Sequence, residues 1–212
     1  MSRDTAPYGW QHADEAESHK ILLPPVLRAL EERFSGISGR RLRVVDLGCG
    51  NGFITARLAS LGHEIIGIDA STDGIDVARK AHPEIRFEIA SIYDDDLTER
   101  VGGPVDAVIS LEVIEHLYYP RRLFEQSHRM LRQGGSLILS TPYHGYWKNL
   151  AISLLDRWDP HFGVGWDGGH IKFFSVKSAT EMAREAGFHR IESDGVGRVP
   201  WLWKSMFLIC EK

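Results

Sequence analysis

Glu112, Glu115 and His116 lie in the run Leu111-Glu-Val-Ile-Glu-His116, and at helical pitch the spacings i, i+3 and i+4 place all three side chains on one face. Two carboxylates and an imidazole on one face suit Mg²⁺ or a similar divalent ion, which lowers the pKa of a bound hydroxyl and orients the resulting oxyanion. Such residues also serve as caps, ion pairs or acid/base groups, and His116 alone can take a proton from a hydroxyl. A second constellation lies upstream in Asp46-Leu-Gly48-Cys49-Gly50-Asn-Gly52, an acid followed by glycines at every second position. Glycine there lets the backbone turn tightly and a ligand approach with no Cβ in the way. The third glycine of a dinucleotide loop, three positions after the second, is absent. Asp69 follows Gly48 by 21 residues, where a strand-end carboxylate can accept both hydroxyls of a ribose. Cys49 reads as a small buried turn residue rather than a nucleophile.

These residues need a scaffold, and the chain supplies an alternation of apolar runs and amphipathic segments. Strands are expected at Arg43–Leu47, Glu64–Ile68, Arg86–Ala90, Val105–Ser110 and Ser136–Ser140. Helices are expected at Phe53–Leu61, from the cap Ser71 to Ala81, at Arg121–Leu131 closed by Gly134-Gly135, and at Ser175–Ala186. A helix from Ile21 to Phe34 carries Pro24-Pro25 at or near its first turn. Two more strand-like runs follow Phe188, the last being Met206–Cys210, and would close the sheet as a hairpin. The class is α/β, a doubly wound, mostly parallel seven-stranded sheet with an antiparallel C-terminal hairpin strand. One domain spans 1–212, with a helical segment at 1–40, a cofactor-binding core at 41–140, a lid insertion at 141–174, and a closing helix and strands at 175–212. The lid holds Tyr143, His144, Tyr146, Trp147, Trp158, His161, Trp166 and His170, able to enclose a small acceptor while Leu150, Ile152, Leu154 and Leu155 cover a helix.

In glycine spacing, in Gly67-Ile-Asp69-Ala70-Ser71, in the acidic Asp94-Asp-Asp96 and in Leu111–His116, the chain resembles the class I S-adenosylmethionine-dependent methyltransferases over roughly Arg43 to Ala186. The resemblance implies that Asp46 positions the methionine amino group and that Gly48, Cys49 and Gly50 pass beneath methionine and ribose. It also implies that Asp69, beside Ala70, holds the ribose, that Ser91 and Ile92 meet adenine, and that Leu111 completes the cofactor-facing set. Glu112–His116 followed by Gly169-His170-Ile-Lys-Phe173 is similar to the ubiquinone-biosynthesis O-methyltransferase branch, some members of which hold a metal at the matching positions. That match makes His170 a second candidate catalytic residue beside His116. RNA 3′-end methyltransferases share a comparable pattern of two Glu and a His with a distant His, and a cofactor-binding module without catalysis is a further alternative. The leading expectation is in-line transfer of a methyl group to a small-molecule hydroxyl.

Composition narrows the partners. A net charge of -4 and 43% hydrophobic residues describe an ordinary globular chain with no basic field for nucleic acid, which is disfavoured as substrate. No segment has the length of an apolar membrane span, the N-terminus lacks a signal core, and a cytoplasmic location with Cys49 and Cys210 reduced and buried is expected. Two readings are open for Tyr8-Gly-Trp10-Gln-His12: a cover over the ligand cleft, or a staple for the N-terminal helix.

Overall fold

The computed structural model describes residues 9–34, 41–163 and 165–212. Its strands are β1 Arg43–Leu47, β2 Glu64–Asp69, β3 Arg86–Ile89, β4 Val105–Leu111, β5 Leu131–Pro142, β6 Arg190–Val196 and β7 Ser205–Glu211. They form one seven-stranded sheet in the order β3-β2-β1-β4-β5-β7-β6. The pairs β1–β2, β2–β3, β1–β4 and β4–β5 are parallel, while β7 runs antiparallel to both β5 and β6. The helices are α1 Glu17–Phe34, α2 Phe53–Ala59, α3 Thr72–Ala81, α4 Leu97–Arg100, α5 Arg121–Met130, α6 Tyr146–Leu154, α7 Trp158–Phe162 and α8 Val176–Glu185. No helix is long and apolar enough to cross a membrane.

The central strands read as unbroken apolar runs because both faces of the sheet are covered. Val44, Ala107, Ile109 and Ile138 face the side on which α1 packs through Leu22, Val26 and Leu30 and α2 through Ile54 and Leu58. Their neighbours Val45, Val108, Leu137 and Leu139 face the opposite side, against Leu123, Phe124 and Met130 of α5 and Ala179 and Ala183 of α8. Each fully buried aliphatic side chain contributes roughly 1.5–3 kcal/mol. Both cysteines are free and buried.

Several boundaries differ from the sequence expectation: β5 extends over Leu131–Pro142, α2 stops at Ala59, and the ends of α5 and α1 shift for identifiable reasons. Gly134-Gly135 does not close α5, which ends at Met130 and runs directly into β5. The Lys212 ammonium instead accepts the role of cap, donating to the carbonyls of His128 at 2.6 Å and Leu131 at 2.8 Å, where a cation also complements the helix dipole. The glycines pair with the same residue, Gly134 N–H with the Lys212 carbonyl and Lys212 N–H with that of Gly135. Pro24 and Pro25 lie inside α1, which begins earlier than expected, at Glu17. The added turn is held from outside, by the His19 ring stacked on Phe53 at 4.9 Å.

Candidate active site

The sheet order reverses between β1 and β4, and open α/β sheets bind ligands beyond the strand C-termini at such a switch point. Beyond β1 the chain turns through Gly48 at φ 88, Gly50 at φ 52 and Gly52 at φ 77, a left-handed region costly for any residue with a Cβ. The Ile68 carbonyl of β2 accepts from Gly48 N–H at 2.7 Å and Cys49 N–H at 3.1 Å, which ties the turn to the next strand. A Cβ on Gly48 would sit 2.3 Å from Val113 Cγ2, so the loop passes directly under the segment that follows β4.

Asp69 ends β2 with Oδ2 accepting from Gly50 N–H at 2.8 Å and Oδ1 from Ser71 N–H at 2.7 Å. Burial raises its pKa, and those backbone donors oppose the rise. Asp46 is buried at the end of β1, where Thr55 Oγ1 donates to it at 2.6 Å, and burial pushes its carboxyl up to about 7. Ser91 follows β3, its N–H donating to Asp94 Oδ2 at 2.9 Å, and Ile92 is buried beside it. Ala70 and Leu111, each half-buried, end the turn after β2 and strand β4. Burial and the neighbouring Asp46 raise the Cys49 thiol well above its usual range, so it carries no thiolate at neutral pH.

Across this loop lies a strap that begins among residues Gly9 to Asp14; Tyr8 lies outside the described residues. Gly9 and Trp10 N–H both donate to Asp73 Oδ2, at 2.9 and 3.0 Å. Asn51 Nδ2 donates to the carbonyls of His12 and Asp14 at 3.0 and 3.1 Å. The Trp10 ring rests on Gly50 and Gly74, close enough that a Cβ on Gly50 would stand 2.8 Å from Cζ2.

The acceptor side is built from the turn after β4 and the lid. Glu112 adopts φ 54, uncommon for a residue with a side chain and a form of strain that concentrates at functional sites. Its Oε1 accepts from Ser140 Oγ at 2.8 Å and its Oε2 from Ser205 Oγ at 3.3 Å. Only Ile114–His116 is helical, as a 3₁₀ turn, so the α-helical pitch that would align Glu112 with Glu115 and His116 is not formed. The structure instead brings Glu115, His116 and His170 together, with one ligand atom of each within 4.8 Å of the others. Glu115 is 1% exposed; Thr141 Oγ1 donates to its Oε2 at 3.0 Å, while its Oε1 is buried without a hydrogen-bond partner, 3.9 Å from His170 Nε2. Burial, then the nearby Glu112 carboxylate, raise the Glu115 pKa well above the ordinary range.

Both imidazoles are held neutral. Burial lowers the pKa of His116, and burial followed by His116 lowers that of His170 to about 4. His116 Nδ1 lies 3.3 Å from the Gly169 carbonyl, and hydrogen bonding to the Gly169 and Gly168 backbone opposes the lowering by burial. The Glu115 carbonyl pins the lid by accepting from Ile171 N–H at 2.9 Å and Lys172 N–H at 3.0 Å, which is how residue 170 reaches the β4 turn. A cleft of about 300 Å³ opens beside His170, lined by Phe162, Trp166, Asp167, Ile171 and Phe173 among others. His144 is buried against Phe162 and Phe173 rather than beside Glu115. The sequence reading did not find Ser140, Thr141 or Ser205 as partners of the two carboxylates, nor Lys148, buried in α6. Ser205 comes from β7, 93 residues from Glu112, and no local pattern announces it.

Known proteins resemble this chain in sequence and in fold. A ubiquinone biosynthesis O-methyltransferase of Ruegeria pomeroyi is 29% identical over 170 residues, covering 76% of this chain and 66% of that protein. One from Cereibacter sphaeroides strain KD131 is 31% identical over 172 residues, covering 76% and 67%. The chain thus spans about two thirds of the length of these relatives. An O-methyltransferase family protein from Burkholderia thailandensis shares the fold, with TM-score 0.67, 19% identity, and coverage of 90% of this chain and 56% of that one. The family described as methyltransferase domain matches residues 19–193, and over that span the chain belongs to it, with S-adenosylmethionine as the cofactor.

Proposed function

We propose that the chain moves the methyl group of S-adenosylmethionine onto a hydroxyl oxygen of a small acceptor under the lid, a reading supported by its similarity to O-methyltransferases of ubiquinone biosynthesis. The observation that carries this reading is the meeting of Glu115 with two neutral imidazoles beyond β4, next to the loop that takes the cofactor. On the donor side, Asp69 and Ala70 hold the ribose, Asp46 the methionine amino group, Ser91 and Ile92 the adenine, while Gly48, Cys49, Gly50 and Leu111 line the path between them. The reaction is an in-line displacement: the acceptor oxygen attacks the methyl carbon, the carbon–sulfur bond breaks, and its electron pair stays on sulfur. Holding the two partners in line is worth roughly 7 kcal/mol or more. His116 or His170, both neutral imidazoles, receives the hydroxyl proton.

The same trio fits a divalent ion. Glu115 Oε1, buried and without a hydrogen-bond partner, is the kind of atom a cation satisfies, and two imidazole nitrogens complete a three-ligand set. A bound cation would lower the pKa of the acceptor hydroxyl. Two nitrogens and one carboxylate suit Zn²⁺ or Mn²⁺ better than Mg²⁺, which prefers oxygen ligands. Glu112, turned toward Ser140 and Ser205, stands behind this set rather than in it.

The test is S-adenosylhomocysteine production from S-adenosylmethionine and catechol, with and without chelator, for the native chain and Glu115→Gln. The variant is expected to lose about 100-fold or more in turnover, the scale of a lost acid/base group. Its affinity for S-adenosylhomocysteine should hold. Equal turnover by both proteins removes Glu115 from the reaction, and full activity in excess chelator removes the metal.

A further inference from the structure

Two cations, one in the lid and one in the β6–β7 connection, are left unused by the proposed reaction. Lys148, in the first turn of α6, is 4% exposed, and its Nζ makes one hydrogen bond, to the Lys204 carbonyl at 3.3 Å. Arg198, from the β6–β7 connection, lies within electrostatic reach of it, and both act on His161 of α7. Among the described residues neither Lys148 nor Arg198 has a carboxylate within 4.0 Å. Glu112 is near enough to Lys148 to favour its charge, but the Glu112 oxygens are bonded by Ser140 and Ser205. Four cations elsewhere in the fold behave differently: Arg33, Arg43, Arg122 and Arg132 each lie against a carboxylate. The α6 N-terminus adds to the imbalance, with no side-chain cap and no acidic residue in its first turn.

Burying an ammonium within electrostatic reach of a guanidinium works against folding unless something returns the lost solvation. An anion does so, and the acceptor site of the preceding section, on which this inference rests, is where an anion would enter. We propose that Lys148, Arg198 and His161 form a subsite for an anionic oxygen group, carboxylate or phosphate, carried by the methyl acceptor. Lys148 and His161 both lie within electrostatic reach of His170, so a group held by them would turn the acceptor so that its hydroxyl faces Glu115, His116 and His170. Burial and Arg198 hold the Lys148 ammonium down at about 8, so it is still mostly charged at neutral pH. A charge-assisted pair there would be stronger than one at the surface.

The experiment titrates benzoate, phenyl phosphate and the neutral isostere benzamide into the chain by calorimetry, with and without saturating S-adenosylhomocysteine. At least one anion is expected to bind ten times or more tighter than benzamide, and the comparison of the two anions distinguishes carboxylate from phosphate. Lys148→Met should erase that preference while S-adenosylhomocysteine affinity is kept. Arg198→Gln, at an exposed position safe for folding, should reduce it about threefold to tenfold. Equal binding of benzamide and both anions, or an anion preference untouched in Arg198→Gln and in folded Lys148→Met, overturns the subsite. Failure of S-adenosylhomocysteine itself to bind would instead overturn the methyltransferase reading, because the titrations without it report on the subsite alone.

Discussion

The loop proposed to take the donor is built largely from backbone, set by the φ angles of Gly48, Gly50 and Gly52 and by N–H bonds to Ile68 and Asp69. On the acceptor side the groups are side chains delivered from afar: Thr141 reaches Glu115 across 26 residues and the Gly169 carbonyl reaches His116 across 53. The lid around them leaves Tyr146, Trp147, Leu154 and Leu155 exposed, whereas β1 and β2 under the donor loop are buried at every position except Arg43, Glu64 and Asp69 at their ends. A backbone-built half tolerates little variation because each turn has one workable geometry, while a half built from long-range side chains can be refitted to another acceptor.

The sharpest way to break this contrast is Gly48→Ala. A methyl group there meets Val113 at 2.3 Å and forces a positive φ on alanine, so a loss of about 2 kcal/mol or more is expected. Melting should fall by roughly 5 °C or more, with cofactor affinity. An unshifted melting curve would mean that the loop is not held as rigidly as its bonds imply. Asp69→Asn comes next: charge-assisted bonds to a ribose are worth roughly 1.5–3 kcal/mol, so calorimetry should read about tenfold to hundredfold weaker S-adenosylhomocysteine binding. Unchanged affinity would remove Asp69 from the cofactor site.

Acidification separates the halves by sign. His144 and His170, lowered to about 4 by burial, contribute stability above the unfolded histidine value of 6.5 that is lost as pH falls toward 4. Asp46, raised to about 7, acts oppositely, binding more protons folded than unfolded between 3.8 and 7, and so loses stability as pH rises through that window. Melting curves from pH 4 to 7.5 should therefore steepen in their acid loss for Asp46→Asn and flatten for His144→Gln; the reverse ordering would contradict both environments. The smallest effect belongs to Leu154→Ser on the exposed face of α6, expected to shift stability by no more than about 0.5 kcal/mol. A larger drop would show that the lid packs more tightly than its exposure indicates.

The strand, the glycine turn and the strand-end acid proposed to serve the donor were legible in the sequence because their signals are local: a strand, glycines at alternate positions, and an acid 21 residues on. The seven-stranded sheet and its antiparallel closing hairpin followed from apolar runs alone. Glu112 marks where local reasoning stopped, since helical spacing was assumed for a segment that makes only a 3₁₀ turn. The α5 boundary failed for a similar reason: Gly134-Gly135 reads as a helix end, but a lysine distant in sequence supplies the cap. Lys148 gave no signal, because one lysine in an amphipathic stretch reads as a solvated surface residue until the fold buries it.

The strap over the glycine loop has a kinetic consequence. Its four hydrogen bonds, from Gly9, Trp10 and the Asn51 amide, are each worth only about 1 kcal/mol net, so the segment can part from Asp73 and the loop without disturbing the sheet. Anything resting on Gly50 then has a residence time governed by that local opening rather than by its own contacts alone. Amide exchange at Gly9 and Trp10 would clock the opening, and slower exchange at those amides with nucleoside bound would place the strap at the exit.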